Sequence, residues 1–131
     1  MSAPDQGSVT GLQLDVLRAL WSAGEATVAQ VQQFLSERRE LAPTTVATLL
    51  GRLEKRDLVD HRREGRQFLY RALVLEQDVI QRAVDEVTEQ VFEGDIAAFA
   101  TRLLSAKDIK AGDLARVRAL IEARMTELSE D

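Results

Sequence analysis

Apolar residues recur along this chain at helical spacing in three successive stretches, and then the period changes. Over Gly11 to Ala23, Leu14, Leu17, Leu20 and Trp21 fall on one face of an amphipathic helix, and Gly24 stands where a helix C-terminus favours glycine. Thr27 followed by Gln30 is a capping-box pattern. Val28, Val31, Phe34 and Leu35 form the expected buried face of a second helix, which ends in Glu37-Arg38-Arg39-Glu40. Pro43 suits the first turn of a third helix, where an N–H would have no intrahelical partner. Val46, Leu49, Leu50 and Leu53 supply its buried stripe, and Lys55-Arg56-Asp57 closes it with bases at the negative end of the helix dipole.

A period of two follows. Leu58 to Arg63 and Gln67 to Ala72 read as short strands, with Val59 and His61 alternating in the first and Phe68 and Tyr70 in the second. Glu64-Gly65-Arg66 between them is a hairpin turn containing glycine. Three helices and a hairpin, in this order and size, describe a winged helix-turn-helix.

From about Leu75 the helical period returns to the end of the chain. Ile80, Val84, Val87 and Val91 make one stripe, Gly94 breaks it, and Asp95 caps a helix with Ile96, Phe99, Ala100, Leu103 and Leu104 on its apolar side. A last helix, beginning between Ala106 and Asp113, carries Leu114, Val117, Ile121, Met125 and Leu128. One small winged helix cannot cover three such faces. They are expected to pack on one another and on a second copy of the chain, with Ile80, Val84, Val87, Val91, Ile96, Phe99, Leu103, Val117, Ile121, Met125 and Leu128 as the dimerisation residues. The expected fold class is therefore mainly α: a winged helix-turn-helix domain over residues 11–73, joined directly to a three-helix dimerisation domain over residues 74–131.

Composition narrows the chemistry. The 131 residues suit one ordinary core, and 45% hydrophobic with 30% charged residues argues against overall disorder. No cysteine is present, which excludes disulfides, thiolate metal sites and cysteine nucleophiles, and the single His61 leaves neither a histidine metal site nor a serine–histidine relay. Neither an enzyme, a metal nor a cofactor is implied. No apolar run approaches the roughly 20 residues that span a bilayer. Met1 to Thr10 shows no signal pattern and reads as a short frayed arm, so a cytoplasmic location is expected.

The net charge of −5 becomes informative once it is divided along the chain. Met1 to Glu37 holds one base against four acids, and Ala72 to Asp131 holds seven against thirteen. Arg38 to Arg71 reverses the balance, with nine bases against five acids. A basic middle in an acidic frame is the footprint of a localised phosphate-binding face.

Within that middle, the outward face of the third helix is Thr44, Thr45, Ala47, Thr48, Gly51 and Arg52. All but Arg52 are small, which lets a helix backbone approach base edges in a major groove. A threonine brings a hydroxyl and a methyl for those edges, and Arg52 reaches a phosphate or a guanine. Arg62, Arg63 and Arg66 surround Gly65 at the hairpin tip, a wing suited to the phosphate backbone. Arg38 and Arg39 are candidates for phosphate and for solvated surface alike. Trp21 and Tyr70 read as core aromatics, and His61 as an ordinarily packed strand residue. The acidic overall balance also suits a winged helix that binds protein and no DNA.

The run Leu41 to Val59, the Leu20-Trp21 pair, Phe68-Leu69-Tyr70 and Val91-Phe92-Glu93-Gly94-Asp95 together resemble the penicillinase and methicillin-resistance repressors of the BlaI/MecI/CopY family. The resemblance runs from Gly11 to Leu128. It implies a homodimeric repressor bound to AT-rich palindromic operator DNA, reading bases through Thr44, Thr45, Ala47, Thr48 and Arg52. Some members carry Lys or Arg where this chain has Thr44 and Ala47. The copper-responsive branch needs a cysteine cluster that is absent here. The β-lactam branch implies a membrane sensor protease that leads to cleavage at an Asn-Phe bond. Arg102-Leu103 stands at that place in this chain, so the inducing signal stays open.

Overall fold

The computed structural model describes Val9 and residues 11–130. Of the expected N-terminal arm, Met1 to Ser8 and Thr10 lie outside the described residues, while Val9 is buried in the core.

Helix α1 spans Gly11–Ala23, α2 Val28–Leu35 and α3 Pro43–Lys55; strands β1 and β2 cover Val59–Glu64 and Gln67–Ala72. Each boundary has a local cause. Gly24, at φ +83°, donates its N–H to the Leu20 carbonyl at 2.7 Å and ends α1 in a conformation that side chains disfavour. The Thr27 hydroxyl accepts from the Gln30 N–H at 3.2 Å, while the Gln30 side chain accepts from the Thr27 N–H at 2.9 Å; this is the capping box that the sequence predicts. Pro43 opens α3 as expected.

The end of α3 is a Schellman motif. Leu58 N–H donates to the Leu53 carbonyl and Asp57 N–H to that of Glu54, both at 3.0 Å. The left-handed residue it requires is Asp57, at φ +59°, where glycine is the usual choice.

The β1 and β2 strands pair antiparallel from Val59↔Ala72 to Glu64↔Gln67, joined by the two residues Gly65 and Arg66. Gly65 has φ +62° and Arg66 does not share the positive sign, the signature of a type II′ turn. Ala26 extends the sheet by one bridge to Tyr70, with N–H···O bonds of 3.0 and 2.8 Å in the two directions. No pattern in the sequence marks that bridge, because one residue has no period.

The core is Val16, Leu17, Leu20, Val31, Leu35, Val46, Leu49, Leu50, Leu53, Leu58, Val59 and Tyr70 with smaller neighbours. Each fully buried Leu or Val contributes about 1.5–3 kcal/mol relative to an exposed one. Phe34 departs from expectation. It is 50% exposed, because α2 has only eight residues and turns Val31 and Leu35 inward. Leu14 and Trp21 are half-buried at the core edge, and the Trp21 indole N–H donates to the Val74 carbonyl at 2.9 Å. Asp15, which carried no signal, is buried with them.

Helices α4 (Glu76–Gln90), α5 (Ile96–Leu104) and α6 (Ala111–Ser129) complete the chain. Asp95 caps α5 by accepting from the Ala98 N–H at 3.0 Å, after Gly94 at φ +82°. The chain divides into two units, Met1–Glu86 and Val87–Asp131, with the division inside α4. In the second unit Phe92 and Phe99 stack at 4.9 Å, yet none of its described residues is buried in the single chain.

Candidate nucleic-acid interface

On α3, the residues Val46, Leu49, Leu50 and Leu53 are buried, and Thr44, Thr45, Ala47, Thr48, Gly51 and Arg52 are all exposed on the other side. The Thr48 hydroxyl donates to the Thr44 carbonyl at 2.9 Å. Its proton is thus used within the helix, and its remaining lone pair can accept from a ligand. A Cβ built on Gly51 meets nothing within 4 Å, so no neighbour among the described residues requires glycine there.

The basic residues of the middle segment sort into two groups. Arg39 Nε donates to Asp15 at 3.1 Å, Arg38 lies 3.7 Å from the same carboxylate, and Arg18 reaches it at 3.2 Å. A buried acid of α1 thereby ties down the connection that precedes α3. Arg56 donates to the Gln13 side chain at 2.7 Å, and Arg71 holds Asp60 through bonds of 2.8 and 3.1 Å. Arg52, Lys55 and Arg66, by contrast, have no side-chain partner among the described residues, and Arg63 has only the Phe68 ring, 5.4 Å from its guanidinium carbon.

The register splits the three wing arginines. His61, Arg63, Phe68 and Tyr70 share the hairpin face of Val59, which meets the core. Arg62 lies on the reverse face, where it grips Glu25 through bonds of 2.8 and 3.1 Å and sits 3.1 Å from Glu64. Hydrogen bonding from Arg62 holds the Glu25 carboxyl below its ordinary range. The Asp60 carboxyl is lowered in the same way by Arg71.

His61 joins the wing to α3. Its Nδ1 lies 2.6 Å from Glu54 Oε1, and its ring packs 4.4 Å from Phe68 and 5.3 Å from Tyr70. The Tyr70 phenol is pushed up, by burial first and by the Glu54 charge second. The sequence missed Glu54, Glu25 and Asp15 as partners, since nothing in spacing reveals pairs 7, 37 and 24 residues apart.

Three helices, a hairpin with a bridging third segment, and an exposed small-residue face on the last helix define a winged helix-turn-helix DNA-binding protein. The comparisons agree and go further. The chain belongs to the penicillinase-repressor family, whose sequence pattern matches residues 9–123. It is similar to the methicillin resistance regulatory protein MecI of Mammaliicoccus sciuri, 19% identical over 88% of this chain and 94% of that protein. It is also similar to the penicillinase repressor of Bacillus licheniformis, at 22% over 87% and 89%. The transcriptional regulator BlaI of Mycobacterium tuberculosis is 48% identical over 45% of this chain and 44% of its own length. Among solved structures, the DNA-binding domain of the repressor BlaI superposes with TM-score 0.50 and 29% identity over 60% of this chain and 93% of that one. The BpsR protein of Bordetella bronchiseptica shares the fold at TM-score 0.52 and 17% identity, over 94% and 83%. The protein is a DNA-binding transcriptional repressor and not an enzyme. Among the described residues, no helix is long and apolar enough to cross a membrane.

Proposed function

We propose that this repressor acts in the cytoplasm as a homodimer on a palindromic operator, with one α3 in each major-groove half-site and one wing on the adjacent backbone. The observation that carries this reading is the division of its cations. Arg52, Lys55, Arg63 and Arg66, on α3 and the hairpin, are free of ion pairs among the described residues, while the arginines around them are bound internally. Thr44, Thr45, Ala47 and Thr48 face the bases, and Arg52 a base edge or phosphate. Arg63 and Arg66 serve the backbone. Arg62 joins them only when its bidentate pair with Glu25 opens.

Residues 11–73 form the DNA-binding part and residues 74–131 the dimerisation part. Ile80, Val84, Val87, Val91, Ile96, Leu103, Ile121, Met125 and Leu128 are exposed in the single chain, and Phe99 and Val117 half-exposed. Exposed apolar residues in this number need a partner, and a second copy supplies one with matching faces. Release through cleavage of an Asn-Phe bond forms no part of the proposal, because α5 carries Arg102-Leu103 there.

Selection of duplexes from a randomised pool, followed by binding across salt concentrations, tests the reading. A symmetric consensus bound by two chains is expected. Equal binding to selected and random duplex, or co-purification of a protein partner with no DNA response, would replace it with a protein-interaction module.

A further inference from the structure

Beside the Ala26–Tyr70 backbone bridge, the distal half of the wing has two side-chain polar ties to the rest of the protein among the described residues, one on each face. Arg62 to Glu25 holds the reverse face, and His61 to Glu54 holds the face shared with Arg63. The second tie is the one that matters for geometry. Glu54 lies on α3 two residues beyond Arg52 and one before Lys55, so its carboxylate is fixed to the same rigid element as the groove-facing side chains. From it runs a continuous stack: His61 against Tyr70 and Phe68, then the Arg63 guanidinium over the Phe68 ring. Phe68 meets Tyr70 edge-on at 6.5 Å, which closes the set.

We propose that Glu54 and His61 are positioning residues that set the reach of the wing relative to α3, so that Arg63 and Arg52 engage one duplex together. This rests on the DNA-binding reading above. Neither residue touches DNA in the proposal; both act through Arg63. A carboxylate only accepts, so His61 donates from Nδ1. The groups facing the ring are Glu54 from α3 and Phe68 and Tyr70 from β2, with Asp60 and Arg63 nearby in β1.

The test uses the full chain, a duplex selected by the wild type from a randomised pool, and a random duplex of equal length. Glu54→Ala and His61→Phe are each expected to weaken binding to the selected duplex about tenfold and to the random duplex less than about twofold, with the double variant no weaker than either single one. The phenyl ring of His61→Phe keeps the stack, which protects folding. Glu54→Gln retains an acceptor for the His61 N–H and should restore binding to near wild-type strength.

Equal, additive losses on both duplexes would overturn the proposal and leave only a structural contact. Failure of Glu54→Gln to restore the affinity lost in Glu54→Ala would overturn it too, since the loss would then not come from the bond to His61. Failure of the wild type to prefer its selected duplex defeats the DNA-binding reading itself, which is a different result.

Discussion

Gly51 sits in the middle of α3 in an ordinary helical conformation with open space around it, and glycine there costs about 1 kcal/mol relative to alanine. No neighbour benefits from that cost. On the proposed reading the benefit lies outside the chain, where a bare backbone would let DNA come closer. Gly51→Ala is therefore expected to raise stability in urea by about 1 kcal/mol while weakening operator binding. A stabilised variant with unchanged affinity would show that the groove does not approach this turn. Asp57 offers a control of opposite design. Its left-handed backbone closes α3 in the Schellman motif, and its carboxylate has no partner among the described residues. Asp57→Gly should raise the melting temperature, by relief of about 1 kcal/mol, and leave binding unaltered.

At the scale of elements, the hairpin is an example of charge used for holding as well as binding. Glu25 titrates below its ordinary 4.5 in the folded protein because Arg62 bonds it. A depressed carboxyl contributes stability that is present above its unfolded value and lost as pH falls through the folded one. The difference in stability between wild type and Glu25→Gln should thus be visible at neutral pH and fade as pH falls below the ordinary 4.5 and through the lowered folded value. The same variant leaves Arg62 held only by Glu64, so its salt dependence on random duplex should steepen, by at most about one unit in log–log slope. Arg66→Ala should flatten that slope by about one unit, since Arg66 has no partner among the described residues to compensate. These opposite signs separate cations that bind outward from cations that hold the fold.

For the whole molecule, the decisive feature is the imbalance between its two units. Among the described residues every buried one lies before Glu86, and none in Val87–Asp131 is buried in the single chain. Large apolar side chains of α5 and α6, Leu103, Ile121, Met125 and Leu128 among them, are left exposed. Leu103→Glu, which places a charge on a residue 58% exposed in the single chain, is expected to turn a dimer into a monomer by light scattering and to abolish operator binding together with it. Loss of the dimer with operator affinity intact would break the link between assembly and repression. One half-site alone offers too few contacts for specific affinity.

The elements of this protein were legible because each carries its own local cause: the stripe of Val46, Leu49, Leu50 and Leu53, the Thr27–Gln30 box, Pro43, Gly24 and Gly65. Periodicity placed β1 one residue early, at Leu58, because Leu58 completes the helix cap and its side chain is apolar in either role. It overestimated α2, where Phe34 lies outside the short buried face. The basic segment also showed in the sequence, and so did the small face of α3. What the sequence by itself determined was therefore which residues could face DNA and which apolar stripes outnumber one core. What only the tertiary structure decided was which cations remain free to do so. Asp15, Glu25 and Glu54 reach their partners across 24, 37 and 7 residues, and pairing at a distance is a property of packed elements. Charge counted along a chain cannot distinguish an arginine that is already held from one that is available.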